Sequence, residues 1–314
     1  MTLIAANQFA RRLDRLGVRF GFPEALIGLL TAVAADGPEL ASALFALVKG
    51  DHSASTGVLV GSCNFNLAAM IGLSALITGA VRIAPEALLL DGAVGLAVTA
   101  IASAALLGWV SAPLALILAV VFVIPYLVVL VGGSEILLTD RAKSGTLGRL
   151  LAQRRPEPQA DPSSDPTHHL LALVVVDVIL IVAGSAGMVQ AAISLGGRWH
   201  VSGTIIGVLV LAPLTSLPNA WTAVRLGSDG RGAALVAETL NSNTINLFAG
   251  AIVPAMFVTL TAASTAAKVQ VAWLGAMTLV ALGLLMRSAG VRRPQAGLLI
   301  LLYVVFVVVE LALG

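Results

Sequence analysis

The chain has 314 residues, of which 58% are hydrophobic and only 11% charged, with a net charge of +2. A soluble domain carries about 25% charged residues, so the polar surface needed to coat a water-soluble globule is missing. Soluble enzymes, nucleic-acid binders and disordered regulators are excluded, and the composition reads as an all-α polytopic membrane protein. A single cysteine, Cys63, also excludes an intramolecular disulfide framework and any multi-cysteine metal site.

In chain order, residues 1–10 are apolar but too short to span a bilayer. Arg11, Arg12, Arg15 and Arg19 follow them, the reverse of the order in a signal peptide. A helix needs about 20 apolar residues to cross. Nine stretches qualify: 23–48, 55–80, 88–108, 113–136, 169–193, 203–226, 233–260, 269–286 and 295–313. Between the fourth and fifth lies the longest polar segment, residues 139–168, whose QRRPEPQADPSSDP run suits a flexible tether. It divides an N-terminal transmembrane unit, 1–138, from a C-terminal one, 169–314.

Counting alternate spans from a cytoplasmic N-terminal arginine cluster leaves only Lys49, Arg198 and Lys268 on the far side. The other fifteen of the 18 basic residues fall on the cytoplasmic side, together with the linker. The expected location is therefore an integral position in the plasma (inner) membrane. Trp109, Trp199 and Trp273 fall near far-side ends, as interfacial tryptophans tend to.

The linker separates two copies of one pattern. LGVRFGFPEALIG (residues 16–28) matches LGGRWHVSGTIIG (residues 195–207) at an offset of 179. One inserted residue later, at an offset of 180, Pro38-Glu39 faces Pro218-Asn219, Ser62 faces Ser242 and Asn66 faces Asn246. Each half thus predicts a proline-broken helix followed by a helix with a small-polar motif, GSCNFNL in one and NSNTINL in the other. Five spans in the second half is an odd number, so the copies enter from opposite faces. Inverted repeats with interrupted helices mark a binding site near the bilayer midplane. The first half has four full spans, and most of the fifth would lie upstream of Met1. That points to a start codon assigned late or to a lost helix.

Proline inside a helix frees a backbone carbonyl on the preceding turn, and in hydrocarbon that group needs a partner. In ADGPE the freed carbonyls lie beside Asp36 and Glu39, two acids about one turn apart. A charge at mid-membrane costs at least ~2.5–3.5 kcal/mol, so this pair calls for a cation. The second half supplies Thr215, Ser216 and Asn219 around Pro218. Ser62/Asn66 and Ser242/Asn246 at i, i+4 each show both oxygens on one helical face. Carboxylate, carbonyl and hydroxyl oxygens are the donor set of Ca²⁺ and Na⁺ rather than of soft metals.

At these residues the chain resembles the sodium/calcium exchanger family of cation/Ca²⁺ antiporters. Its paired α-repeats have a GTSxPE-like break followed by a GSxxFN-like segment. Here they read ADGPELASAL … GSCNFNLAAMIGLSALI (motif 34–67) and LTSLPNAWTAV … NSNTINLFAGAIV (motif 213–247). The resemblance implies ten transmembrane helices in two inverted groups of five, the first helix truncated or missing, with Ca²⁺ exchanged for Na⁺ or H⁺ by alternating access. It assigns ion binding to Glu39, Ser62, Asn66, Thr215, Ser216, Asn219, Ser242 and Asn246, which join Asp36 from the charge argument. The lipid bilayer and inorganic cations are the expected partners, with no nucleotide, nucleic acid or cofactor and no enzymatic activity. Departures from the pattern leave alternatives open. Asn219 stands where the family usually has an acid and Asp36 where it has a small hydroxyl residue. Cys63 and Asn241 interrupt the two GSN tripeptides. A monovalent cation or proton exchanger, or a channel-like or non-transporting relative, stays possible on these residues.

Three other intramembrane acids carry expectations. Glu238, one turn before Ser242, reads as lining the cytoplasmic mouth or as a solvated helix start. Asp177 reads as an ion relay or as reaching the interface, and Glu310 as interfacial.

Overall fold

A computed structural model describes residues 2–20, 33–83, 85–132, 166–260, 262 and 264–313. These form ten helical rods, five on each side of the linker. In the first half they are α1 (Thr2–Arg19), α2 (Gly37–Val48), α3 (His52–Thr78), α4 (Pro85–Leu106) and α5 (Ala112–Gly132). In the second half they are α6 (Thr167–Trp199), α7 (Gly203–Ser228), α8 (Gly232–Ile245 continuing as Asn246–Ile252), α9 (Thr265–Ser288) and α10 (Arg293–Leu313). α6 begins at Thr167 and takes the last two residues of the expected linker; the rest of it, 139–165, lies outside the described residues. So do residues 23–32 of the first expected span and Gly28 of the repeat.

Seven helices are long and apolar enough to cross a membrane: His52–Thr78, Leu88–Leu106, Ala112–Val129, Thr167–Trp199, Gly203–Ser228, Thr265–Arg287 and Arg293–Leu313. Two of the nine expected spans are missing from that set for different reasons. Of 23–48 only the short apolar helix α2 and the turn before it are described. α8 is continuous through 232–252, but Glu238 and the NSNTIN motif dilute its apolarity.

The ends of the rods sort into two faces. Strand β1 (Ala80–Arg82), after α3, pairs antiparallel with β2 (Gly290–Arg292), before α10, in the register Val81 opposite Val291. This small ribbon is an exception to the all-α reading. Gly232 at the start of α8 lies so close to Arg82 that an added Cβ would be 2.1 Å from its carbonyl oxygen. These three turns carry Arg82, Arg231 and Arg292. On the other face Ala262 N donates to Leu106 O (2.6 Å), His52 Nδ1 lies 3.0 Å from Thr259 O, and Gly203 packs against Asp51. Lys49 and Arg198 belong to this second face. The grouping is the one alternation requires, so the two halves enter from opposite sides. Trp109 and Trp199 are exposed at the second face, whereas Trp273 turns inward against Phe306, 5.9 Å between ring centroids.

The arginine cluster expected on the cytoplasmic side forms the second half of α1. α1 runs antiparallel to α6, with Ala5 and Ala6 against Ile181 and Arg19 reaching Thr167 Oγ1 at 3.5 Å. Arg12 donates to the carboxylate of Asp177 and to Leu173 O (3.3 Å). Asp177 is 3% exposed, and its partner is this guanidinium, which corrects both expectations for it. Glu310, one turn from the end of α10, is 0% exposed and accepts from Gln270 Nε2 of α9 at 2.7 Å.

Small residues let the two halves touch at the centre. Caps hold the helices in register there: Asp51 accepts from Ala54 N at the start of α3 and Ser202 from Ile205 N at the start of α7. α3 and α7 cross where Gly57 and Gly207 meet, and a Cβ on Gly207 would lie 2.6 Å from Ala54 O and 2.9 Å from Val58 N. Small residues at such contacts replace the hydrophobic drive that lipid removes. Gly207→Ala is expected to cost about 2 kcal/mol of stability by overpacking this crossing, read as a lowered unfolding midpoint in detergent. Asp177→Ala, which strands Arg12 in the bundle, is expected to cost about 3 kcal/mol, with the Arg12→Leu/Asp177→Leu double variant recovering most of that loss in the same assay.

Candidate ion-binding site

The site forms where α2 and α3 of the first half meet α7 and α8 of the second. α2 starts in its sequence at Asp36, whose carbonyl accepts from Leu40 N (3.0 Å), with Pro38 in the first turn. An aspartate at a helix start ordinarily caps its own helix. Here the side chain makes no cap bond and turns outward to the other half. Breaking a local rule in this way is what a functional site is expected to do. The second half differs from expectation: α7 runs helically through Pro218, with a wide-turn (π) stretch, Ile206–Leu211, upstream of it. The proline break is therefore real in one half only.

α3 and α8 share a second irregularity at matched positions. Each passes into a π stretch immediately around its motif asparagine, Leu67–Leu73 after Asn66 and Asn246–Ile252 at Asn246. Such wide turns re-aim side chains and occur often at functional sites. The helices also meet residue against repeat counterpart. Asn243 Nδ2 donates to Cys63 O (3.1 Å), and Cys63 Sγ lies 3.9 Å from Asn243 O. Positions 180 apart face each other only on a two-fold axis, so the axis of the duplication runs through this contact.

Around it Asp36, Glu39, Ser62, Asn66, Thr215, Ser216, Asn219, Ser242 and Asn246 are all buried, none more than 2% exposed. Asp36 Oδ1 accepts from Asn219 Nδ2 (2.7 Å) and Ser242 Oγ (2.6 Å). Glu39 Oε1 accepts from Ser216 Oγ (2.5 Å) and, longer, from Asn219 Nδ2 (3.4 Å); Glu39 Oε2 accepts from Asn246 Nδ2. Ser62 faces the Glu39 carboxylate. Asn66 Nδ2 donates to Ser242 Oγ (3.0 Å) and Asn243 Oδ1 (3.2 Å). Thr215 stands apart, because its hydroxyl bonds back to Leu211 O (2.8 Å) on its own helix and touches neither acid.

The amides have spent their N–H groups on carboxylates and a hydroxyl, which fixes which way they point. Their oxygens are left over: Asn66 Oδ1, Asn219 Oδ1 and Asn246 Oδ1, with Asp36 Oδ2, are buried and accept no hydrogen bond. A buried unpaired polar atom costs ~1–3 kcal/mol, and four together fit a cation's oxygen shell. No group of three or more His, Cys, Asp or Glu residues placed to hold a metal occurs among the described residues, so a soft-metal centre does not compete.

Sequence reasoning missed the support on the flank. Tyr126 of α5 donates to Asp91 Oδ1 of α4 (3.0 Å), and its hydroxyl lies 2.6 Å from Asn241 Oδ1. Asn241 replaces the glycine of the repeat motif, and this anchor, which ties Ser242's helix to the peripheral helices, gives it a structural reason. Asp91 was visible as an intramembrane acid; its partner was not.

Ser242→Ala removes a donor to Asp36 and an acceptor for Asn66, and is expected to cost about 2 kcal/mol in thermal unfolding without added cation. Thr215→Val, which leaves both carboxylates their donors, is expected to cost well under half of that in the same measurement.

The sodium/calcium exchanger protein family matches residues 1–132 and 169–312. Among solved structures the chain is similar to the sodium-calcium exchanger NCX_Mj soaked with Na⁺ and Sr²⁺, at 20% identity and a TM-score of 0.63, over 98% of this chain and 94% of that one. It is also similar to native YfkE, at 15% identity and a TM-score of 0.72, over 99% of this chain and 90% of that one. At such identities the likeness to these two is one of fold. A comparison with the curated proteins finds no match. With both halves matched and only the stretch between them outside, this chain belongs to the sodium/calcium exchanger family of membrane transport proteins.

Proposed function

We propose that the protein is a secondary antiporter that exchanges Ca²⁺ against Na⁺ or H⁺ across the plasma membrane, with its arginine-bearing face and its linker in the cytoplasm. One observation carries the reading. Two buried carboxylates and three amides from oppositely oriented halves are linked by hydrogen bonds, yet Asp36 Oδ2, Asn66 Oδ1, Asn219 Oδ1 and Asn246 Oδ1, with Ser62 Oγ, are left buried without partners. A cation there relieves the cost of burying charge in lipid, and competition of a second ion for the same oxygens couples the two fluxes. Alternating access then follows from movement of one inverted half against the other around the fixed site. Asp36 and Glu39 supply charge. Asn66, Asn219 and Asn246 supply amide oxygens, Ser216 and Ser242 hold the carboxylates in place, and Ser62 adds a buried hydroxyl oxygen without a hydrogen-bond partner. Thr215 shapes α7 rather than binding the ion.

A second reading has its own support. Of the four carboxylate oxygens of Asp36 and Glu39, only Asp36 Oδ2 is free of hydrogen bonds, and Ca²⁺ affinity rises with the number of charged ligands. That donor set suits a monovalent cation or a proton better than a divalent one.

In proteoliposomes, an outward Na⁺ or H⁺ gradient is expected to drive ⁴⁵Ca²⁺ uptake by the full chain, and Glu39→Gln to lower it by at least about tenfold. Absence of gradient-driven flux in the wild type would overturn antiport. The double variant Asp36→Ser/Asn219→Glu separates the two readings. Moving charge to the second half is expected to raise selectivity for Ca²⁺ over Na⁺ in a competition flux assay.

A further inference from the structure

One face of α8 carries a polar stripe. Glu238 and Ser242 lie one turn apart, Asn246 one turn deeper, and Arg231, just ahead of the helix, lies two turns before Glu238 on the same side. The stripe runs from the arginine-bearing turns to the site. Ser242 at its centre donates to Asp36 Oδ1, while Asp36 Oδ2 has no partner. Glu238 is itself half-buried, with Oε2 shielded from solvent and without a hydrogen bond. The charged groups whose fields act on it are Asp36 on the deep side and Arg231 on the shallow side. Among the described residues no ion pair joins Arg231 to Glu238.

The other half lacks this feature. The counterpart of Glu238, 180 residues earlier, is Val58, which is 0% exposed and packed among Ala54, Leu59, Ile206 and Leu211. Toward the far face the site is therefore sealed by apolar side chains. Toward the arginine-bearing face the next group outward is a carboxylate that water reaches on one edge. A carboxylate oxygen shielded from solvent with no hydrogen bond favours a cation as its partner.

We infer that Glu238 and the free Oδ2 of Asp36 form a second position for a hard cation, Na⁺ or Ca²⁺, one helical turn from the central site on its arginine-bearing side. The ion occupies this position on its way between that face and the centre. This deepens the exchange reading and rests on it. Arg231 at the outer end holds the stripe's net charge down, so the position passes cations inward without trapping them.

The test measures transport from each face separately. With the full chain oriented in vesicles, Glu238→Gln is expected to raise the KM for Ca²⁺ presented to the arginine-bearing face by about tenfold, with KM from the far face unchanged. A general loss of structure would move both, so an equal shift at the two faces, or none at either, overturns the proposal. Equilibrium binding of ²²Na⁺ to detergent-purified protein is the second readout, and Glu238→Gln is expected to bind one cation fewer per chain than wild type. That count needs no exchange. If wild type shows no gradient-driven flux, antiport falls and the binding count alone decides the role of Glu238; an unchanged count overturns it. If Glu238→Gln does not purify as a folded protein, Glu238→Asp keeps the charge but draws the oxygens back. It is then expected to show a smaller shift confined to the same face, and an unchanged or two-sided KM would again overturn the proposal.

Discussion

Everything in this molecule answers to one constraint: Asp36 and Glu39 are carboxyl groups buried away from solvent, and such groups need polar partners. Each helix that reaches the centre brings something to them. α7 brings Ser216 and Asn219, and α8 brings Ser242 and Asn246, so the second half consists largely of donors for acids that belong to the first. An amide suits this use because it has two ends. Its N–H binds the carboxylate and thereby turns its oxygen toward the space a cation would fill. On the proposed reading the same side chains supply both hydrogen bonds to the carboxylates and oxygens for the ion.

The two halves are copies in backbone but not in chemistry. Matched π stretches in α3 and α8, and the contact of Cys63 with Asn243, preserve the symmetry of the duplication. The acids break it, with Glu39 facing Asn219. The two prolines do the same, since Pro38 stands in the first turn of a new helix and Pro218 lies within a continuous one. Asymmetry on a symmetric frame gives the two faces different routes to one centre, a carboxylate on one side and a valine on the other.

Much of this was legible in the residues alone. Composition showed the bilayer, basic-residue placement sorted the turns into two faces, and the offset of 180 brought the motif residues to one place. What escaped has identifiable causes. α1 was read as an apolar stretch too short to span followed by a cytoplasmic arginine cluster; Asp177, 165 positions away, and Leu173 O give Arg12 its partners within one helix. The partner of Glu310 was not legible, because Gln270 lies on another helix. Thr215 carries the same hydroxyl as Ser216, yet it spends that hydroxyl on its own backbone, a choice set by rotamer and not by spacing. The π stretches lie in the hydrogen-bond pattern of the main chain, where composition leaves no trace.

The pairing of Cys63 with its own counterpart has a practical corollary. The chain's single thiol is fully enclosed at the one contact through which the axis passes. A small alkylating reagent can meet it only while α3 and α8 stand apart. The unaltered protein thus carries its own clock, and the rate at which that sulfur is alkylated counts how often the crossing comes undone.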